Sequence, residues 1–456
     1  MTTSIAPLES LGRVHFIGIG GVGMSAVARI MVARGVPVSG TDGKDLPVMH
    51  DLAAAGARIA VGYDAENLGD AQTIVAGSAI RADNPELTAA RAAGLPVLHR
   101  SEALAATMAG HRVVTVAGTH GKSTTTSMIA VLLKEAGVDP SFAIGANVPA
   151  LGVNAAHGAS DIFVAEADES DGSFLNYRPL IAVVTNVEAD HLDHYGTPEA
   201  VFASFDSFAA LLPPEGILLV CADDAGARAL ADRTGSKGTT RVLTYGTADD
   251  ADIRLHDAGP GDVSVAVAGE VHRLELQVPG RHNALNAAAA FAVAVELGVA
   301  PDAAAAALAH FTGASRRFEL KGQGRGVRVY DDYAHHPTEV RAALSAARSV
   351  AAGNKVHVLF QPHLFSRTRE FADEFAEALN SADTALVLDI YPAREDPIPG
   401  VTSALIADHL STGRLVSADE AVRAIATVAG EGDVVLTVGA GDVTAYGPVI
   451  VEALGG

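Results

Sequence analysis

GTHGKSTTT, residues 118–126, joins the apolar run VVTVA (113–117) to the helical pattern SMIAVLLKEAG (127–137). A strand, a glycine turn and a helix in that order read as an anion-binding loop, because the first helical amides and the helix dipole face the turn. Gly118 and Gly121 bracket the turn, with Thr119 and His120 between them; Lys122 is a point charge within reach of phosphates, and the Ser123 and Thr124 hydroxyls follow. A serine here is suited to ligate Mg²⁺. The usual spacing G-x-x-x-x-G-K-[ST] asks for glycine at 116, where this chain has Val116. The stretch is therefore either a shortened nucleotide loop or a Ser/Thr-capped helix start with a solvated lysine.

The next two apolar runs favour the nucleotide loop. IFVAEADESDG (162–172) brings Glu166, Asp168, Glu169 and Asp171 to the C-terminal end of a strand, the edge at which open α/β sheets bind ligands. Glu166 falls inside the apolar part and needs a cation partner if buried. IAVVTNV (181–187) runs into EADHLDH (188–194), where a neutral His191 offers a second metal ligand. Lys/Ser, Glu and Asp-His on three consecutive strand ends point to metal-assisted phosphoryl transfer from ATP.

A second glycine loop stands nearer the start. Gly18, Gly20, Gly21 and Gly23 form G-x-G-x-x-G directly after the run RVHFI (13–17), and Met24 and Ser25 follow within the helical pattern. The motif fits a nucleotide diphosphate, with Asp42 at the end of the next run where a ribose-binding acid would sit. Taken alone it suggests an NAD-dependent dehydrogenase, but the backbone donors serve a UDP-sugar equally well.

Further buried-strand runs, KVHVLF (355–360), TALVLDI (384–390) and DVVLTVG (433–439), alternate with helical patterns, one near 367–379. The fold expected is α/β with three domains: a Rossmann-like N-terminal domain (1–108), a central P-loop ATPase domain (109–319) and a Rossmann-like C-terminal domain (320–456). The central domain carries a small antiparallel patch over about 241–280, and the Gly-rich LKGQGRG (320–326) serves as the second separator. A chain of 456 residues suits about three such cores.

Charge and composition exclude several classes. Lys and Arg number 32 against 54 Asp and Glu, a net charge of −22 that argues against nucleic-acid and anionic-membrane binding. Phosphate binding must then come from focused local donors and a metal. Cys221 is the single cysteine, MTTSIAPLESLG lacks a secretory pattern, and Glu296, Pro301 and Asp302 interrupt the Ala-rich run 286–309 too early for a membrane span. A cytoplasmic protein, monomer or homodimer, is expected.

The motifs together resemble the Mur ligase family across nearly the whole chain. The matching pieces are GIGGVGMS (18–25), SAIRADNPE (78–86), GTHGKSTT (118–125), EADESDGSF (166–174), TNVEADHLDHYG (185–196), PGRHNALNAAAA (279–290), SRRFE (315–319), DDYAHHPTE (331–339) and FQPHLFSRT (360–368). The short G-x-x-G-K-[ST]-T loop is that family's own form, so Val116 is no obstacle. The resemblance implies ATP-dependent ligation of L-alanine to the lactyl carboxylate of UDP-N-acetylmuramic acid through an acyl phosphate, with ATP and Mg²⁺ required and Mn²⁺ able to replace it. By motif match Ser78, Ala79 and Ile80 join the first loop and Asp42 at the UDP-sugar. His282, Asn283 and Asn286 join Gly118–Thr124 around ATP, and Arg317 and Asp332 close it in. Ser123, Glu166 and His191 hold metal. Lys122 and His191, with His335 and Arg367, surround the reacting groups, and His363 and Arg367 hold the amino acid. No lysine stands between Lys134 and Lys237, so the modified lysine of later-acting family members has no counterpart here; this favours the alanine-adding step or a recycling ligase that joins a whole murein peptide to the same UDP-sugar. Two departures stand out: Leu364 follows the histidine of the PH motif where many relatives have arginine, and Asp42 lies in GTDGKD where relatives more often have Ser-Asp.

Overall fold

The computed structural model describes residues 7–455 apart from Lys237, Thr239, residues 258–261 and Arg394. The opening MTTSIA and most of the DAGPG turn (257–261) lie outside the described residues. Contacts divide the chain into two compact units. The first comprises Met1–His256, Ser264–Glu275 and Leu285–Phe311; the second comprises Asp257–Val263, Leu276–Ala284 and Thr312–Gly456.

Three sheets carry the α/β architecture. The first has five parallel strands in the order Arg58–Val61, Val38–Asp42, Val14–Ile17, Thr73–Ala76, Val97–His99. Its centre, Val14–Ile17, is buried throughout, as expected when helices cover both faces of a parallel sheet. The strand order reverses beside this central strand, so the glycine loop after Ile17 opens at the crevice where such sheets bind nucleotides.

The ten-stranded sheet has Arg112–Ala117 between Ile162–Glu166 and Ile181–Val184, all parallel. Their carboxyl ends therefore meet on one edge: the 118–121 turn, Glu166 with the residues after it, and Thr185 onward. The apolar residues of these runs place them in a sheet buried on both faces, which leaves the polar residues only the strand ends.

Two expectations are corrected here. The stretch 241–257 is not antiparallel: Arg241–Gly246 pairs parallel with Ile217–Cys221, and Ile253–Asp257 parallel with Arg241–Gly246. Half-buried edge strands alternate polar and apolar residues whichever way the neighbour runs, so the pattern did not carry direction. The antiparallel signal survives further on: Val263–Val267 and Glu270–Leu274 are sheet neighbours joined at Ala268 and Gly269, both with positive φ (51° and 87°) as a two-residue hairpin turn requires, and Ser141–Ala143 and Ala155–Ala156 also pair antiparallel in this sheet. The helical stretch near 367–379 is two helices, Phe365–Glu370 and Ala372–Leu379. Phe371 breaks them at φ −116° with its ring edge-on to His336, centroids 4.9 Å apart.

The third sheet runs Glu319–Gly324, Val327–Asp332, Val434–Val438, Val356–Phe360, Thr384–Val387, Gly413–Leu415. The first pair is antiparallel and the rest parallel. LKGQGRG thus forms an edge strand and its hairpin turn.

Candidate active site

The loop after Arg112–Ala117 lies directly on the end of the neighbouring strand. Gly118 has φ +134°, and a Cβ there would stand 2.1 Å from Thr185 Oγ1. Glycine alone permits that approach. Thr185 Oγ1 donates to the His120 carbonyl at 2.5 Å, and the His120 amide donates to Asn186 Oδ1 at 2.8 Å. The glutamate backbone is tied in too: Glu188 N donates to Thr119 Oγ1 at 2.9 Å. Gly121, left-handed at φ +82°, then starts the helix Lys122–Glu135. Asn286 closes the loop from the other side, its Oδ1 accepting from Thr125 at 3.0 Å and facing Gly121.

Lys122 Nζ donates to the carbonyls of Gly118 (2.7 Å) and Thr119 (3.2 Å) and to Glu169 Oε1 (2.9 Å). Burial works against its charge, but Glu169, Asp168 and Glu166 hold its pKa above the ordinary lysine range. Asp168 shows the reciprocal effect: burial opposes its ionisation, yet Lys122 leaves its pKa lowered. Ser123 Oγ donates to Glu166 Oε1 at 3.0 Å, and Glu166 Oε2 accepts from the Gly145 amide at 2.8 Å.

His191 adopts φ +57° and brings Nε2 to 3.6 Å from both Glu169 Oε1 and Asp190 Oδ2. Burial disfavours the charged ring, but the nearby carboxylates of Glu169 and Asp190 raise its pKa overall. Glu169 is 1% exposed, and its Oε2 has no hydrogen-bond partner among the described residues. A buried carboxylate oxygen left unpaired is costly unless a ligand uses it. Ser123 Oγ on Glu166, and Glu169 beside Lys122, are hard-oxygen donors of the kind Mg²⁺ takes.

Glu169, which lies beside both Lys122 and His191, was placed by sequence reasoning among the strand-end carboxylates suited to Mg²⁺ but was not singled out as Glu166 was. Tyr195, which that reasoning missed, donates its hydroxyl to the Glu169 carbonyl at 2.5 Å and steadies that turn. EADESDG told of carboxylates near a ligand edge; nothing local tells which one turns inward.

The first glycine loop is built around Gly18 at φ +81°, with Ile80 Cδ1 3.0 Å from where its Cβ would be. The Gly20 amide donates to Asp42 Oδ2 at 3.1 Å, so Asp42 holds the loop itself. Met24 packs beside Gly21 and Gly77. Ser25 is buried and donates to Val22 O at 3.1 Å within its own helix. Ala79 lies in the turn with Ser78, whose hydroxyl donates to Asp171 Oδ2 at 3.3 Å and sits 3.1 Å from His99 Nε2. The EADESDG turn is thereby linked to the five-stranded sheet's loops.

The second unit gathers the remaining candidates. Asp332 accepts from the amides of Phe318 and Ala334, each at 2.8 Å, and holds the SRRFE turn, where Arg316 and Phe318 have φ of 61° and 52°. Burial pushes its carboxyl up to about 6 despite the neighbouring Arg317. Arg317 lies 4.9 Å over the Tyr333 ring. His335 and His363 meet at 6.0 Å between ring centroids, and Tyr391 stacks on His363 at 5.9 Å. Leu364 is buried at φ +71° and caps the helix containing buried Arg367. Asn283 Nδ2 donates to Pro279 O at 2.7 Å, and burial lowers His282 to about 4.

Comparison with known proteins settles the family. The chain matches the model of the Mur ligase middle domain over residues 116–294. It also matches those of the Mur ligase family catalytic domain over 13–112 and the Mur ligase glutamate ligase domain over 316–441. It is 90% identical, over the full length of both chains, to the UDP-N-acetylmuramate–L-alanine ligase of Paenarthrobacter aurescens strain TC1.

The chain belongs to the Mur ligase family.

Among solved Mur ligases, the UDP-N-acetylmuramate-alanine ligase of Thermotoga maritima superimposes with a TM-score of 0.77 at 29% identity, covering 96% of this chain and 98% of the other. A murein peptide ligase from Psychrobacter arcticus 273-4 gives 0.71 at 26% identity, covering 97% and 99%. The two glycine loops fall in the first two family matches and the Asp332–His363 group in the third.

Proposed function

We propose that this Mur ligase couples ATP cleavage to amide formation between L-alanine and the lactyl carboxylate of UDP-N-acetylmuramic acid, a step of peptidoglycan precursor synthesis. One observation carries the local chemistry: Lys122, Ser123, Glu166, Glu169 and His191 converge on the loop 118–121 at one sheet edge. A carboxylate resists attack because it is anionic and resonance-stabilised. Transfer of the γ-phosphoryl to one of its oxygens, with ADP leaving, creates an acyl phosphate. The alanine amine then attacks the carbonyl carbon; the tetrahedral intermediate expels phosphate and the amine loses its proton.

In this reading the loop amides and Lys122 bind the ATP phosphates and offset the charge that develops in transfer. Lys122 must exchange its present acceptors for phosphate oxygens to do so. Ser123, Glu166 and His191 hold Mg²⁺, which neutralises phosphate charge when bound. Asn286, with His282 and Asn283, belongs to the adenine region, and Arg317 and Asp332 complete the ATP site. His335, His363 and Arg367 serve the alanine and the acyl phosphate, the guanidinium pairing with the amino-acid carboxylate. Residues 18–25, Asp42 and 78–80 receive the UDP-sugar. Domain limits at 108/109 and 319/320 are part of the same reading. So is a cytoplasmic site of action, supported by the finding that no described helix is long and apolar enough to cross a membrane.

The test is phosphate release with UDP-N-acetylmuramic acid, ATP and Mg²⁺, tried with each single amino acid and with L-alanyl-γ-D-glutamyl-diaminopimelate. Turnover with L-alanine is expected. Turnover with the tripeptide alone would assign the chain to the recycling reaction.

A further inference from the structure

We infer that Arg100 binds the diphosphate of the nucleotide sugar, supplying the full positive charge that the glycine loop lacks. This rests on the reading above, in which residues 18–25 receive a UDP-sugar.

Arg100 opens the helix Arg100–Met108, whose start is fixed by a capping box between His99 and Glu102. Its guanidinium lies against the glycine loop: a Cβ on Gly23 would stand 2.6 Å from Arg100 Nη1, 3.0 Å from Cδ and 3.3 Å from Cζ. Gly23 has no positive φ, so what the position needs from glycine is this close approach. The Arg100 charge also reaches Asp168 and the buried phenol of Tyr177, working in each against the rise in pKa that burial causes. The side chain is half-buried, yet it makes no hydrogen bond or ion pair among the described residues. Five N–H donors stand unused at the seam between the diphosphate loop and the carboxylate-rich edge.

Charge balance says what those donors await. Asp42, Asp168 and Asp171 border this region, and the chain as a whole carries −22. Backbone amides and a helix dipole offer only partial positive charge, and a full charge beside them strengthens diphosphate binding against such a field. Lys122 is engaged by Glu169, and Arg81 is exposed and paired with Asp83 at 3.2 Å. A planar guanidinium beside the loop amides meets two phosphate oxygens in one plane, which an ammonium cannot do.

Calorimetry on the full-length protein tests this, using UDP, UDP-N-acetylmuramic acid, uridine and a non-hydrolysable ATP analogue. Arg100→Ala is expected to weaken UDP and UDP-N-acetylmuramic acid by about tenfold to a hundredfold. Uridine and the ATP analogue should bind as before, and Arg100→Lys should recover part of the loss. Unchanged UDP affinity in Arg100→Ala overturns the inference, and so does an equal loss for uridine, which would make the residue merely structural. A wild-type protein that binds the ATP analogue but not UDP overturns the reading of the first loop, and this inference with it.

Discussion

Lys122 donates to three oxygens at once, and Glu169 is the only carboxylate among them. The pair holds the ammonium charged and ready inside a buried site. Replacing Lys122 by Ala removes a fixed charge from the transferring phosphoryl and should lower turnover by at least about a hundredfold; near-normal activity would contradict the assignment. Glu169→Gln keeps the shape but removes the charge that lifts His191. The His191 pKa should fall in that variant, read from the imidazole signals in an NMR titration, and an unmoved value would show that Glu169 does not set it. Two groups of the second unit titrate in one window with opposite signs. Asp332, ordinarily near 3.8, is raised to about 6, so between those values the native state keeps a proton the unfolded chain has lost, and stability falls as pH rises. His282, ordinarily near 6.5, is lowered to about 4, so the unfolded chain holds the extra proton, and stability rises with pH. Each amounts to about 3 kcal/mol across its window. Denaturant unfolding at pH 4.5 and 6 should therefore show stability rising more steeply with pH in Asp332→Asn than in wild type, and less steeply in His282→Asn. Slopes equal to wild type in both would refute the two assignments.

At the scale of elements, each phosphate-type loop depends on how closely a turn lies on its neighbour. Gly118→Ala forces a Cβ into Thr185 Oγ1 in a backbone region that alanine avoids. The turn must move off the strand end, and ATP-analogue affinity should drop by at least about tenfold while UDP affinity stays. Equal binding of both ligands would mean that the turn tolerates displacement. Strands such as Val14–Ile17, Arg112–Ala117 and Ile181–Val184 were legible because a buried parallel strand is an uninterrupted apolar run. The site was legible as far as strand ends go: Lys122, Ser123, Glu166 and His191 stand where their runs stop. What escaped depends on contacts distant in sequence. The inward turn of Glu169 is set by Lys122, 47 positions away, and the break at Phe371 accompanies its contact with His336. Pairing direction at 241–257 escaped for the same reason, since residue alternation reports exposure and not the neighbour's sense.

The molecule as a whole is strongly acidic, yet the reaction proposed for it brings together a triphosphate, a sugar diphosphate and a carboxylate. On that proposal attraction comes from a few placed cations, with Mg²⁺ held on oxygens such as those of Ser123 and Glu166. Chelation should abolish both turnover and tight ATP-analogue binding, and Mg²⁺ or Mn²⁺ should restore them; binding indifferent to chelation would remove the metal from the account. In the proposed reaction the carboxylate of the UDP-sugar is activated by phosphoryl transfer at the loop 118–121. That activation is tested most directly by following ¹⁸O from UDP-N-acetylmuramic acid labelled in its lactyl carboxylate, with ATP and L-alanine present. An acyl phosphate formed at that carboxylate leaves one labelled oxygen in the released phosphate for each amide formed, with ADP in equal amount. Amide formed with unlabelled phosphate, or with AMP in place of ADP, would contradict that activation.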